Sequence, residues 1–187
     1  MTKRLAVFAA LAGLAAVSFA QDRQPRGKAE AMVGGDTVVV EYGRPALKGR
    51  SLDELMKNLP EDRIWRAGEN QVTTLETSGD IKIGGKSVPA GKYSLYVHAP
   101  ASGNWALCVN KDMGIDLVKL WDKAPPEMAK EPWPRLDGYE KNIADGEVAR
   151  IPMMKKSGGA GDVFTINMTS NELSMSWGEQ TWATSLE

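Results

Sequence analysis

Residues Trp65–Val97 read WRAGENQVTTLETSGDIKIGGKSVPAGKYSLYV, and the period of this stretch decides the fold. Val72–Thr77 and Ile81–Ile83 are short runs rich in β-branched residues, the pattern of half-buried strands. Gly84-Gly85 separates Ile81-Lys82-Ile83 from Lys86-Ser87-Val88. That is a two-residue hairpin signal, because both glycines accept positive φ. Pro89-Ala90-Gly91-Lys92 sets Pro and Gly where a type II turn requires them. Beyond it Tyr93, Leu95 and Val97 face one way and Ser94, Tyr96 and His98 the other.

Working outward, Thr37–Tyr42 (TVVVEY) is another strand pattern. Gly43-Arg44-Pro45 stops it, since Pro has no amide hydrogen and restricts the residue before it. Residues 51–59 form the one good helix pattern. Ser51 and Glu54 have capping-box spacing, Leu52, Leu55, Met56 and Leu59 share helical spacing, and Pro60 ends the segment. Trp105, Leu107 and Val109 alternate after a Ser102-Gly103-Asn104 turn. Leu117–Trp121 is expected to be a strand, followed by a Pro-rich loop over 123–135. Glu147–Met154, Asp162–Met168, Leu173–Trp177 and Thr181–Leu186 complete the pattern. Many short strands with Gly, Pro and Asn turns predict a mainly β fold, an antiparallel β-sandwich or flattened barrel with one short helix.

The chain has 187 residues and a formal charge of −1. Residues 1–20 carry a basic start (Lys3, Arg4), an apolar run from Leu5 to Phe19, and small residues at Ser18 and Ala20. This is the layout of a cleaved signal peptide, and the apolar run is too short to span a bilayer. The expected product is exported, periplasmic or extracellular, with no stable membrane insertion after cleavage. Residues 21–30 are expected to be a flexible lead-in, and 31–187 a single β domain. Cleavage removes two positive charges and no acid, so the −1 of the full chain becomes −3. Neither value suits a nucleic-acid partner. The single cysteine, Cys108, cannot form an internal disulfide and is expected to be a buried, inert thiol. One histidine and one cysteine give no zinc set, and no metal or other cofactor is expected.

Tyr42-Gly-Arg-Pro, Leu47-Lys-Gly-Arg, Trp65-Arg-Ala-Gly-Glu-Asn, Ile81-Lys-Ile-Gly-Gly-Lys and Val88-Pro-Ala-Gly-Lys-Tyr-Ser-Leu recur here in order. The series resembles the DUF2911 family, bacterial exported proteins of unassigned function. The resemblance covers about Ala31 to Glu187 and implies an exported, mainly β domain. It transfers no catalytic residue.

The candidate site is read from the residues themselves. Arg44, Lys48 and Arg50 follow the first strand, and Arg66, Glu69 and Asn70 lead into Val72. Guanidinium forks suit carboxylate, phosphate or sulfate, and the flanking Tyr42 and Trp65 can wall a ligand. If the helix folds back between the loops, the two sets meet. The expectation is a non-enzymatic binding module for a small anionic or carbohydrate ligand. The competing view is that the arginines pair with Asp53, Glu54, Glu69 and Glu76 and only fix the loops. Two alternatives are a hydrolase in the same cleft, with Glu69 and Glu76 as its carboxylates, and an interaction module working through a sheet edge or the Pro-rich loop. Trp133, between two prolines, is expected to be the most exposed of six tryptophans. Oligomeric state is not legible.

Overall fold

The computed structural model describes residues 25–135, 138–159 and 161–187. The expected signal peptide lies outside them. In chain order the strands are β1 (Gly27–Val33), β2 (Asp36–Tyr42), β3 (Ile64–Trp65), β4 (Thr74–Thr77), β5 (Ile81–Ile83), β6 (Lys86–Val88), β7 (Gly91–His98) and β8 (Ala106–Asn110). They continue with β9 (Ile115–Asp116), β10 (Pro132–Trp133), β11 (Glu147–Pro152), β12 (Met154–Lys156), β13 (Gly161–Met168), β14 (Glu172–Gly178) and β15 (Gln180–Ser185). Helix α1 is Leu52–Lys57, and the short α2 is Tyr139–Asn142.

The larger sheet runs β1-β2-β4-β7-β8-β11, with β3 paired to β7. The smaller runs β12-β15-β14-β13. All described pairings are antiparallel. The expectation of an antiparallel, mainly β fold therefore holds, as open packed sheets rather than a closed barrel. The sheets bury one core between them. Leu75, Leu95, Leu107 and Ile151 come from the larger sheet, and Phe164, Ile166, Leu173 and Met175 from the smaller. Backbone stitching joins the layers where Phe164 donates its amide to the Pro45 carbonyl at 2.9 Å and Leu47 to that of Asp162 at 2.9 Å.

The hairpin over Gly84-Gly85 forms as expected, pairing β5 with β6. Gly84 also packs closely, since a Cβ there would lie 2.4 Å from a methyl of Ile151. Helix α1 has the full capping box: the Glu54 amide donates to Ser51 Oγ, and the Ser51 amide to Glu54 Oε2.

Three expectations need correcting. Residues 27–30 of the expected lead-in belong to β1, because β2 supplies a full antiparallel partner from Gly27↔Tyr42 to Val33↔Asp36. Leu117–Trp121 is not a strand. Leu117–Lys119 is a 3-10 turn, with the Leu120 and Trp121 amides both bonded to the Leu117 carbonyl. The exposed tryptophan is Trp121, at 47%, whereas Trp133 is half-buried in β10 and donates to Glu131.

The second face of β7 is also covered. Tyr96 and Cys108 pack with Ile64, Tyr139 and Ile143 in a separate cluster under α2. Buried Asn110 ties α2 down, donating from Nδ2 to the Ile143 carbonyl at 2.7 Å and to Tyr139 Oη at 3.0 Å. Tyr139 in turn donates to Glu147 at 2.8 Å, and Arg150 bonds both Glu147 oxygens. Burial pushes the Cys108 thiol up to about 12, consistent with an inert group. Among the described residues no helix is long and apolar enough to cross a membrane.

Candidate functional site

The two loops of the expected site do meet, through glycine backbone. A Cβ on Gly43 would lie 2.1 Å from the Glu69 carbonyl oxygen, and one on Gly68 would lie 3.0 Å from that of Gly43. These glycines are therefore needed for close approach as well as for turning. The 63–70 segment also holds three non-glycine residues at positive φ: Arg63 (57°), Ala67 (51°) and Asn70 (60°). Left-handed backbone costs such residues roughly 1–2 kcal/mol each. Ala67 is fully buried, and its carbonyl accepts from Thr73 Oγ1 at 2.9 Å, which helps hold it there. Strained backbone of this kind tends to gather at functional sites.

Between this segment, α1 and the chain leading into α2 lies a cleft of about 340 Å³. Leu55, Leu59, Pro60 and Ile64 form its apolar side. Trp65 and Trp177 line it as a stacked pair, with centroids 5.3 Å apart and planes at 16°. Tyr96 and Tyr139 line it in an edge contact at 5.0 Å. Its charged groups are Arg50, Asp62, Arg66, Glu69 and Arg135.

These groups are not equivalent. Arg50 is held on its own loop, donating to the carbonyls of Leu47 at 2.9 Å and Ala46 at 3.3 Å. Arg135 pairs with Asp112 at 3.2 Å. Asp62 accepts from the amides of Ile64 and Tyr139 at 3.2 and 2.8 Å, which fixes the start of α2. Arg66 is half-buried, and its guanidinium has no hydrogen bond or ion pair among the described residues. Burial pulls its pKa below the ordinary guanidinium range, opposed by Glu69 and by Tyr96. Tyr96 is 3% exposed, and its hydroxyl is buried without a hydrogen bond of normal geometry, the Ser94 hydroxyl being the side-chain group that eases its ionisation. Burial, reinforced by Asp112, raises the pKa of that hydroxyl, so it stays a donor.

Of the residues expected from sequence, Arg50, Trp65, Arg66 and Glu69 line this cleft. The others lie elsewhere. Tyr42 is a core residue, edge-on to Phe164 at 5.6 Å, with its hydroxyl on the Ile166 carbonyl. Arg44 is off the lining, with Nε buried and unpartnered. Lys48 is exposed, and its amide bonds Asp162 Oδ1 at 3.0 Å. Asn70 shapes the turn from the left-handed region. Glu76 is on β4, paired with Lys92 at 3.6 Å, outside the cleft lining. Sequence reading missed Tyr96, Asp62, Arg135, Tyr139 and Trp177. For Tyr96 a signal existed, since it alternates onto the face opposite Leu95. Arg135 and Tyr139 reach the cleft only through the packing of α2.

Among the described residues no group of three or more His, Cys, Asp or Glu side chains is arranged to hold a metal ion. No curated protein and no solved structure matches this chain. One family model does, described as "Protein of unknown function (DUF2911)", over residues 24–186. That span takes in both sheets and every residue of the cleft, and the chain belongs to the DUF2911 family.

Proposed function

We propose that this domain is a non-enzymatic binding module that takes a small anionic ligand in the cleft beside Arg66. The observation that carries the reading is the half-buried Arg66 guanidinium, which lines the cleft with no hydrogen bond or ion pair among the described residues. A half-buried cation that Glu69 offsets only from a distance, without an ion pair, is partly uncompensated, and an anion arriving at it recovers part of that cost. The strained turn around Ala67 supports the same reading, because it sets Arg66 in place from rigid backbone. A hydrolase in this cleft needs a free acid or base. Asp62 already serves backbone amides, which leaves Glu69 as the carboxylate to examine. The apolar run and small residues within 1–20 favour action outside the cytoplasm.

The test is thermal shift on Gln21–Glu187 against a panel of carboxylates, phosphates, sulfates and sugar acids. A ligand at a hundred times its Kd adds about 2.7 kcal/mol, which is several degrees for a domain of this size. The shift should vanish in Arg66→Ala while circular dichroism stays native. A panel without any shift, or a shift that survives in Arg66→Ala, would refute the proposal.

A further inference from the structure

We infer that the cleft selects a monovalent carboxylate on an aliphatic, hydroxyl-free body, with the head at Arg66 and the body along the side formed by Leu55, Leu59 and Pro60. This rests on the anion-site reading and narrows it to a ligand class.

The head group follows from Arg66. It lines the cleft half-buried, and its guanidinium makes no hydrogen bond or ion pair with the described residues. A free guanidinium edge presents two parallel N–H groups that match the two oxygens of a carboxylate. Left-handed Ala67 follows it, fully buried and bonded through its carbonyl to Thr73, so the head site stands on fixed backbone.

The valence follows from the charge in the cleft. Among the described lining residues the guanidiniums of Arg50, Arg66 and Arg135 stand against the carboxylates of Asp62 and Glu69. The excess is at most a single positive charge, which a monoanion takes up. Arg135 is already answered by Asp112, and Arg50 donates from Nε and Nη2 to carbonyls of its own loop. A second negative charge would come up against Asp62 and Glu69 with no unengaged guanidinium to meet it.

The body follows from the part of the wall that solvent reaches. Leu55 and Leu59 pack on the core yet are only partly buried, and Pro60 is exposed. Their side chains carry no hydrogen-bonding atom. Hydroxyls laid against them would lose water without gaining a partner, whereas methylenes gain by the contact. Trp65 and Trp177 are buried and stacked on each other, so the body is not assigned to their faces.

NMR titration of isotope-labelled Gln21–Glu187 at pH 8 reads weak affinities and locates them. The probes are hexanoate, octanoate, gluconate and hexyl phosphate. Hexanoate and gluconate share one carboxylate on a six-carbon chain and differ in their hydroxyls. Hexyl phosphate keeps the plain chain and carries close to two charges. Hexanoate should bind at least about tenfold tighter than either. The two further methylenes of octanoate should tighten binding about fivefold or more, with shifts at Arg66 and at the Leu55 and Leu59 methyls. Glu69→Gln should close most of the gap to hexyl phosphate, because it removes one opposing charge, and an unchanged gap would overturn the valence argument. Equal affinity for hexanoate and octanoate in the unmodified protein would overturn the aliphatic body without any variant that could disturb the fold. Preference for gluconate or hexyl phosphate would overturn this inference and leave the anion site standing. Binding by none of the four and by nothing in the wider panel, or binding unchanged in Arg66→Ala, would overturn both.

Discussion

Gly43→Ala tests the junction on which the cleft depends. The new Cβ would lie 2.1 Å from the Glu69 carbonyl oxygen and 2.6 Å from its amide nitrogen. Both are backbone atoms, so no side chain can swing aside. Reaching an ordinary contact of 3.4 Å from 2.1 Å requires the two loops to separate by 1.3 Å. Overpacking of this kind costs about 1–3 kcal/mol, and two opposed backbones argue for the upper end. Gly34→Ala is the matched control. Its φ is +60° and nothing lies within 4 Å of the added Cβ. Its cost is therefore conformational alone, about 1 kcal/mol. Urea unfolding followed by tryptophan fluorescence should give a loss near 3 kcal/mol for Gly43→Ala and near 1 kcal/mol for Gly34→Ala, with the same m value in both. The loops would then also hold Arg66 and Glu69 off their normal positions, and anion affinity should fall in Gly43→Ala only. Equal costs for the two variants would show that the loops do not meet as described, and the account of the cleft would fall with them.

Ser51→Ala removes the α1 cap and should cost about 1 kcal/mol, read from the same urea curves. For Glu147, burial raises the pKa, but hydrogen bonds from Arg150 and Tyr139 outweigh it and hold the carboxyl below its ordinary 4.5. A depressed folded-state pKa means stability that is present above pH 4.5 and lost as pH falls through the lower folded value. Glu147→Gln should therefore lower Tm at neutral pH and flatten its decline below pH 4.5, with Glu54, likewise held low by Ser51, keeping some slope in both proteins. Parallel Tm profiles below that pH would contradict the assignment. Cys108 should resist a thiol-specific disulfide reagent in the native protein and react on unfolding, since its thiol is fully buried and raised to about 12. Rapid reaction in the folded state would show the second face of β7 to be open.

Local rules carried the hairpins and the helix. Gly84-Gly85 and the Ser51–Glu54 box depend on residues one to three apart, and both formed where expected. The rules failed where a distant partner decides. Gly27–Lys28 look like a loose lead-in by composition, yet the free edge of β2 recruits them. Leu117–Trp121 has strand-like residues but is held by its own carbonyl and by the Ala129 and Glu131 carbonyls of the Pro-rich loop, which leaves Trp121 outside. For the site, charge density along the chain was a partial guide. It found Arg66, Glu69, Trp65 and Arg50, and it equally nominated Tyr42, whose ring the core claims.

What the sequence by itself determined was the antiparallel β architecture, the capped helix and the family, because alternation, turn chemistry and ordered motifs are all written along the chain. Which arginines are left without a partner among the described residues, Arg66 in the cleft and Arg44 off its lining, was decided only in three dimensions. Arg44, Arg50, Arg66 and Arg135 are chemically alike, and what separates them is which carbonyls and carboxylates the folded backbone brings to each. Tyr96 became part of the cleft for the same reason: α2 closes over the back of β7, shuts its hydroxyl away from water and provides no acceptor. Burial and pairing depend on contacts between segments far apart in the chain, and no local pattern records them.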